Sequence, residues 1–157
     1  MSKLYLIGNS HIDPVWLWRW QEGFSEIFAT YRSALDRMKE FPEFRFVCSS
    51  ASVYQWVEEF APEMFEEIQE RVKEGSFIVV GGWHVQPDCN MPSGESFVRQ
   101  IREGQAYFKE KFGVVPTTAI NFDPFGHTVG LVQIMKKSGQ DSYIFMRPYA
   151  NERELPS

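Results

Sequence analysis

Apolar and polar positions along the chain alternate between two rhythms. Short, mainly apolar runs occur at residues 4–7, 44–48, 77–80, 117–122 and 143–146. Such runs, bounded by turn residues, predict buried strands. Between them lie longer stretches with apolar residues spaced by three and four, which predict amphipathic helices. Residues 21–40 carry Phe24, Ile27, Phe28, Tyr31, Leu35 and Met38 on one face. Residues 49–52 are small polar residues suited to cap a helix bearing Val53, Trp56, Val57 and Phe60. Pro62 predicts a new helical start, with Phe65, Ile68 and Val72 inward and Gly75 as its stop. Residues 96–112 and 129–137 predict two more helices, closed by Gly113 and by Ser138-Gly139.

The resulting order is βαβαβαβαβ. Continuous apolar strands alternating with helices predict an α/β fold, a parallel sheet covered by helices. In that architecture ligands gather at the carboxyl ends of the strands. His11, Asp13, Trp83, Asp88, Asp123 and Arg147 all fall just after predicted strands. The chain stops soon after the fifth strand without a closing helix. Residues 1–157 are therefore expected to be the N-terminal portion of a longer catalytic domain, a partial (β/α)7-type barrel.

Composition narrows the chemistry. The 157 residues are 43% apolar and 16% aromatic, with a net charge of -5. That is a folded chain rather than a disordered one, and the absence of a basic patch argues against nucleic acid. No stretch reaches the ~20 apolar residues of a membrane span. Cys48 and Cys89 form no CxxC and no disulfide framework. With no signal-peptide pattern at the N-terminus, the expected compartment is a reducing cytoplasm. The aromatic load suits a carbohydrate site, although aromatics mostly fill cores. Trp18, Trp20 and Trp56 are read as core.

His11 and Asp13 are separated by one residue on an extended segment, so both side chains point the same way. An imidazole and a carboxylate together suit Zn²⁺ or a similar divalent ion. Taken alone, such a pair more often marks a loop histidine bonded to a helix-capping aspartate. Asp123 follows an apolar strand and opens Asp123-Pro124-Phe125-Gly126-His127. Alone, Asp-Pro is also an ordinary turn opener. Two such strand ends together predict one metal held by His11, Asp13 and Asp123, with an open position or a further ligand beyond residue 157. His127 is read either as a partner of Asp123 or as a helix-start residue.

Ser10-His11-Ile12-Asp13-Pro14-Val15-Trp16-Leu17-Trp18, Val80-Gly81-Gly82-Trp83 with Pro87-Asp88, and the Asp123–His127 turn resemble, in order, the zinc-dependent α-mannosidases of glycoside hydrolase family 38. The 89–96 stretch is similar to the bacterial branch. The resemblance implies that His11, Asp13 and Asp123 bind zinc and that Asp123 is also the catalytic nucleophile. It implies that Trp16 and Phe125 line the sugar subsite of a mannose-containing glycan and that Arg147 stands near the nucleophile; Trp83 and Asp88 are further candidate sugar contacts, with Asp88 equally readable as a structural hydrogen-bond residue. A last histidine ligand and an acid/base aspartate are expected further along the chain. The implied reaction is retaining, with one carboxylate attacking and a second acting as acid and then base. The residues considered without the family leave two other readings. One is a metal-dependent deacetylase of N-acylated sugars, which would want a second histidine where Leu131 stands; the other is a sugar-binding module without chemistry. Strand edges left open by a partial barrel would favour homo-oligomers.

Overall fold

A computed structural model of the chain describes residues 3–148. Ten elements follow in order: β1 (Gly8–Asn9), α1 (Trp20–Glu40), β2 (Phe46–Cys48), α2 (Ala51–Phe60), α3 (Pro62–Glu74), β3 (Phe77–Val79), α4 (Gly94–Phe112), β4 (Thr118–Asn121), α5 (Gly130–Lys137) and β5 (Ser142–Phe145). Every strand pairing is parallel, as continuous apolar runs joined by helices require. The ladders fall into two short sheets, β1-β2-β3 and β4-β5. A mixed α/β fold with short parallel sheets is thus what the chain forms, and ladder pairs closing a barrel are not among the described residues.

The chain divides into two compact units. The first holds residues 1–48 and 52–79, the second residues 49–51 and 80–157. The core of the first is built on the inner face of α1. Ile27, Tyr31 and Leu35 are fully buried, as are Tyr54, Val57 and Ile68 from α2 and α3. Tyr31, Phe46, Tyr54 and Phe77 pack ring against ring, with centroids 5.4 to 6.5 Å apart. Each such ring contributes about 1.5–3 kcal/mol by leaving water. The Tyr31 hydroxyl donates to Cys48 Sγ at 3.0 Å, so the core's phenol is not left unpaired. Helix α3 ends at Gly75 in the left-handed conformation, the stop its position predicts.

One expectation fails in this unit. Residues 4–7 form no strand, and Leu4 and Leu6 are 85% and 84% exposed. The parallel ladder starts only at Gly8, opposite Phe46. The apolar run has no ladder partner among the described residues, and its side chains meet water. Trp20, read as core, is 41% exposed at the first residue of α1.

The second unit is organised around Trp83. Its core is Trp83, Cys89, Phe97, Ile101, Ala119, Leu131 and Met135. Gly81 and Gly82 both take positive φ, +83° and +68°, which turns the chain out of β3 and into the loop that carries Trp83. Helix α4 is capped by Ser93, whose Oγ accepts from the Ser96 amide, and ends at Gly113 with φ +70°. Gly104 on α4 lets the backbone of Gly82 and Trp83 lie directly against the helix: a Cβ there would meet the Trp83 carbonyl carbon at 2.5 Å. Cys48 and Cys89 are buried thiols outside any disulfide.

Candidate active site

Strand register builds the centre of the site. In the β4-β5 ladder Asn121 is opposite Phe145. Two residues beyond each, Asp123 and Arg147 emerge side by side at the carboxyl ends of neighbouring parallel strands. Arg147 Nε stands 2.5 Å from Asp123 Oδ1. Both atoms are enclosed, yet neither has an aligned hydrogen-bond partner. The contact is therefore charge against charge rather than a directed hydrogen bond. The Arg147 guanidinium also lies over the Phe125 ring, 5.5 Å from its centroid. Phe125 is 79% exposed and keeps the rest of its ring open to solvent. Asp123, Phe125 and Arg147 are thus brought together.

The loop before α4 is braced beneath this pair. The Gln86 side chain donates to Ser49 Oγ at 2.8 Å and accepts from the Phe122 amide at 2.8 Å. Asn121, 1% exposed, donates to the Pro87 carbonyl at 2.8 Å and to Cys89 Sγ at 3.1 Å. Gln140 accepts from the Trp83 indole N–H and donates to the Gly81 carbonyl, each at 2.8 Å. The buried Asn121 and Gln140 and the half-buried Gln86 tie the strand ends to the loop, a role that sequence reasoning missed. Their only signal was a polar residue next to an apolar strand; the partners lie 32 to 59 residues away.

Trp83 was expected to line the sugar subsite. The structure places it under the site instead: it is 1% exposed, stacked at 6.2 Å on Tyr143 and edge-on to Phe97. No ring face is left for a sugar. Asp88 is half-buried, and its Oδ1 accepts from the Asn90 amide at 3.0 Å, bending the loop. The hydrogen bonds of His127 go to partners other than Asp123. Its Nε2 meets the Arg147 carbonyl and its Nδ1 the Tyr143 hydroxyl at 2.9 Å. Burial, with the Cys89 thiol alongside, pushes the Tyr143 phenol well above its ordinary value. Burial also raises the Cys89 thiol.

In the first unit, His11 Nε2 and Asp13 Oδ1 face each other at 3.3 Å, as the one-residue spacing predicts. The turn is pinned by Trp18, whose indole N–H donates to the Asp13 carbonyl at 3.1 Å. Gly23 on α1 allows the Pro14 carbonyl to come within 2.1 Å of where a Cβ would be. Trp16 is 66% exposed, edge-on to Trp18 at 5.6 Å. The imidazole and carboxylate form a nitrogen–oxygen donor pair partly open to solvent, chemistry that suits a divalent cation. Among the described residues, no group of three or more His, Cys, Asp and Glu side chains could hold a metal ion. Leu131, where a deacetylase reading wants a second histidine, is buried in the core. No helix of the described residues is long and apolar enough to cross a membrane.

Comparisons with known proteins place the chain in a family and show a wider likeness of fold. The Glycosyl hydrolases family 38 N-terminal domain matches residues 1–157. "Alpha-mannosidase G" of Dictyostelium discoideum is 36% identical over 143 residues, 91% of this chain and 13% of that protein. Human "Alpha-mannosidase 2C1" is 38% identical over 136 residues, 87% of this chain and 13% of that protein. The crystal structure of an alpha-mannosidase from Enterococcus faecalis V583 superposes with a TM-score of 0.81 at 23% identity, covering 88% of this chain and 16% of that one. The crystal structure of 4-alpha-glucanotransferase from Thermococcus litoralis also superposes, with a TM-score of 0.70 at 20% identity, covering 87% of this chain and 21% of that one. The chain thus spans a small part of the relatives it matches.

Proposed function

The chain belongs to glycosyl hydrolase family 38, and from that membership we propose that it supplies the nucleophile and part of the sugar subsite of an α-mannosidase. The observation that carries this reading is the Asp123–Arg147 pair at adjoining strand ends, beside an exposed aromatic ring. Residues 1–157 are read as the N-terminal portion of the catalytic domain. The substrate is a mannose-containing glycan, the chemistry named for the relatives.

With Oδ1 turned to Arg147, Asp123 offers its other oxygen to the anomeric carbon. Attack forms a glycosyl ester as the bond to the leaving oxygen breaks. Water then cleaves the ester from the same face the leaving group vacated, and the two inversions retain the anomeric configuration. A second carboxyl must protonate the leaving oxygen and later take the proton from water; it is not assigned within these residues. Arg147 orients the Asp123 carboxylate and neutralises charge around it. The open face of Phe125 stacks on the apolar side of the sugar ring, and Trp16 and Asp88 are proposed as further sugar contacts.

Metal dependence accompanies the family, and His11, Asp13 and Asp123 are each proposed as metal donors, with zinc the ion their chemistry favours. When bound, a divalent ion would polarise sugar hydroxyls and favour the flattened ring of the transition state. His11 and Asp13 are presented as a pair by the Trp18 anchor.

The test is hydrolysis of an aryl α-mannoside by the full-length protein, with product anomers followed by NMR. The expected result is an α-configured first product and loss of turnover by orders of magnitude in Asp123→Asn. Residues 1–157 alone should show no turnover. An Asp123→Asn protein that keeps its rate overturns the assignment. Release of acetate from an N-acetyl sugar, without mannoside cleavage, would establish the deacetylase instead.

A further inference from the structure

In the neutral ring the hydrogen bonds around His127 have one consistent direction. Its Nε2 faces the Arg147 carbonyl, which can only accept. The proton therefore sits on Nε2. In the neutral ring Nδ1 is then an acceptor, and the Tyr143 hydroxyl at 2.9 Å must donate to it. The Tyr143 oxygen lies 3.9 Å from Cys89 Sγ, and Asn121 donates to that sulfur at 3.1 Å. The ring is also gripped sideways, with centroids 5.4 Å from Tyr143 and 4.9 Å from Phe145. A half-buried imidazole is thus fixed in tautomer and in plane, and its one donated proton ends on the backbone of the arginine that faces Asp123.

We propose that His127 and Tyr143 are positioning residues: the Arg147 carbonyl fixes the His127 tautomer, Tyr143 caps Nδ1 and steadies the ring, and His127 holds the Arg147 carbonyl so that the guanidinium stands against Asp123. This inference rests on the reading of Asp123 as nucleophile for its catalytic consequence, but the tautomer itself does not. Arg147 lies two residues past β5, outside the ladder. Without the His127 proton its backbone has one constraint fewer, and the guanidinium swings on a loose stem. The transition state, which needs the Asp123 carboxylate held in one orientation, loses more than ground-state sugar binding does. Partners that orient a reactive group in this way are worth about 10–100-fold when removed, by analogy with the groups behind metal ligands.

The experiment has two arms. In the chain, ¹⁵N spectra of the His127 imidazole should show the Nε2–H tautomer. Tyr143→Phe keeps the ring that stacks on Trp83 but leaves Nδ1 without its donor; the Nε2–H tautomer should remain, with its resonances broadened by a looser ring. In the full-length protein, the same variant should lower kcat on an aryl α-mannoside by about 10-fold with KM little changed. His127→Gln can still place an N–H on the Arg147 carbonyl and should recover much of what His127→Ala loses. Adding Tyr143→Phe to His127→Gln should cost nothing further, because no Nδ1 remains for the hydroxyl to cap. A protein with an Nδ1–H or doubly protonated ring at neutral pH, or equal costs of Tyr143→Phe in both backgrounds, overturns the proposal. Loss of the nucleophile reading would appear separately, as an active Asp123→Asn beside an intact Nε2–H spectrum.

Discussion

The closest backbone approach in the second unit gives its sharpest stability prediction. A methyl at position 104 would stand 2.5 Å from the Trp83 carbonyl carbon, 2.6 Å from the Gly82 oxygen and 2.7 Å from Trp83 Cα, where ordinary contact begins at 3.4 Å. In Gly104→Ala, α4 or the segment facing it must therefore retreat by close to 1 Å, a core overpacking that costs ~1–3 kcal/mol. The segment cannot yield freely. The Trp83 carbonyl accepts from Ala51, the His84 amide donates to the Gln100 carbonyl, and Gln140 holds both the Trp83 indole and Gly81. Straining these bonds adds about 1 kcal/mol for each that breaks. Against this, alanine gains about 1 kcal/mol over glycine in a helix. The balance is a loss of about 2 kcal/mol, or a Tm lowered by about 4–8 °C for a chain of this size. Thermal melts followed by far-UV circular dichroism and tryptophan fluorescence measure it. Gly130→Ala is the control: its Cβ would meet nothing closer than 3.8 Å, so it should be neutral or stabilising. A Gly104→Ala protein as stable as the parent would show that the helix and the Trp83 segment are not held together as described.

Three further outcomes follow from other parts of the chain. Glu67 accepts from Arg32 at 2.7 and 3.1 Å and pairs with Lys39 at 2.9 Å; chiefly the Arg32 hydrogen bonds hold its carboxyl down to about 2. The unfolded chain takes up that proton first, so the pair's contribution of ~1 kcal/mol is complete above pH ~4.3 and disappears as pH falls towards 2; acid titration of stability should separate the parent from Glu67→Gln above that window and bring them together below it. Trp18→Phe removes the N–H that pins the Asp13 carbonyl; zinc affinity of the full-length protein, measured by calorimetry, should fall about 10-fold, and unchanged affinity would mean that the turn needs no anchor. The exposed side chains of Leu4 and Leu6 should drive self-association of the chain, so sedimentation velocity should show concentration-dependent species that a Leu4→Lys, Leu6→Lys double variant reduces; identical profiles would remove the apolar run as the cause.

The helices were legible because spacing alone carries them. Ile27, Tyr31 and Leu35 are in phase and fully buried, and Gly75 and Gly113 end their helices in the left-handed conformation. β1 was not legible. A two-residue strand exists only through its partner across the ladder, and the stronger apolar signal at residues 4–7 belongs to side chains left in water. Of the candidate site, Asp123 and Arg147 could be placed because each follows a strand, and the β4-β5 register then sets the two together; Phe125 came only with the family resemblance. Trp83 misled because a loop position beside glycines looks accessible, whereas its surroundings are set by α4 and β5. Gln86, Asn121 and Gln140 stayed silent because an amide gives no local pattern; what each holds is decided by distant residues in the fold.

The most direct measurement is covalent trapping of the full-length protein with a fluorinated mannosyl donor that forms the glycosyl ester quickly and loses it slowly, followed by peptide mass spectrometry. The account predicts one fluoromannosyl group, carried by Asp123. A label on any other carboxylate, or mannoside turnover with no trapped ester, would contradict it.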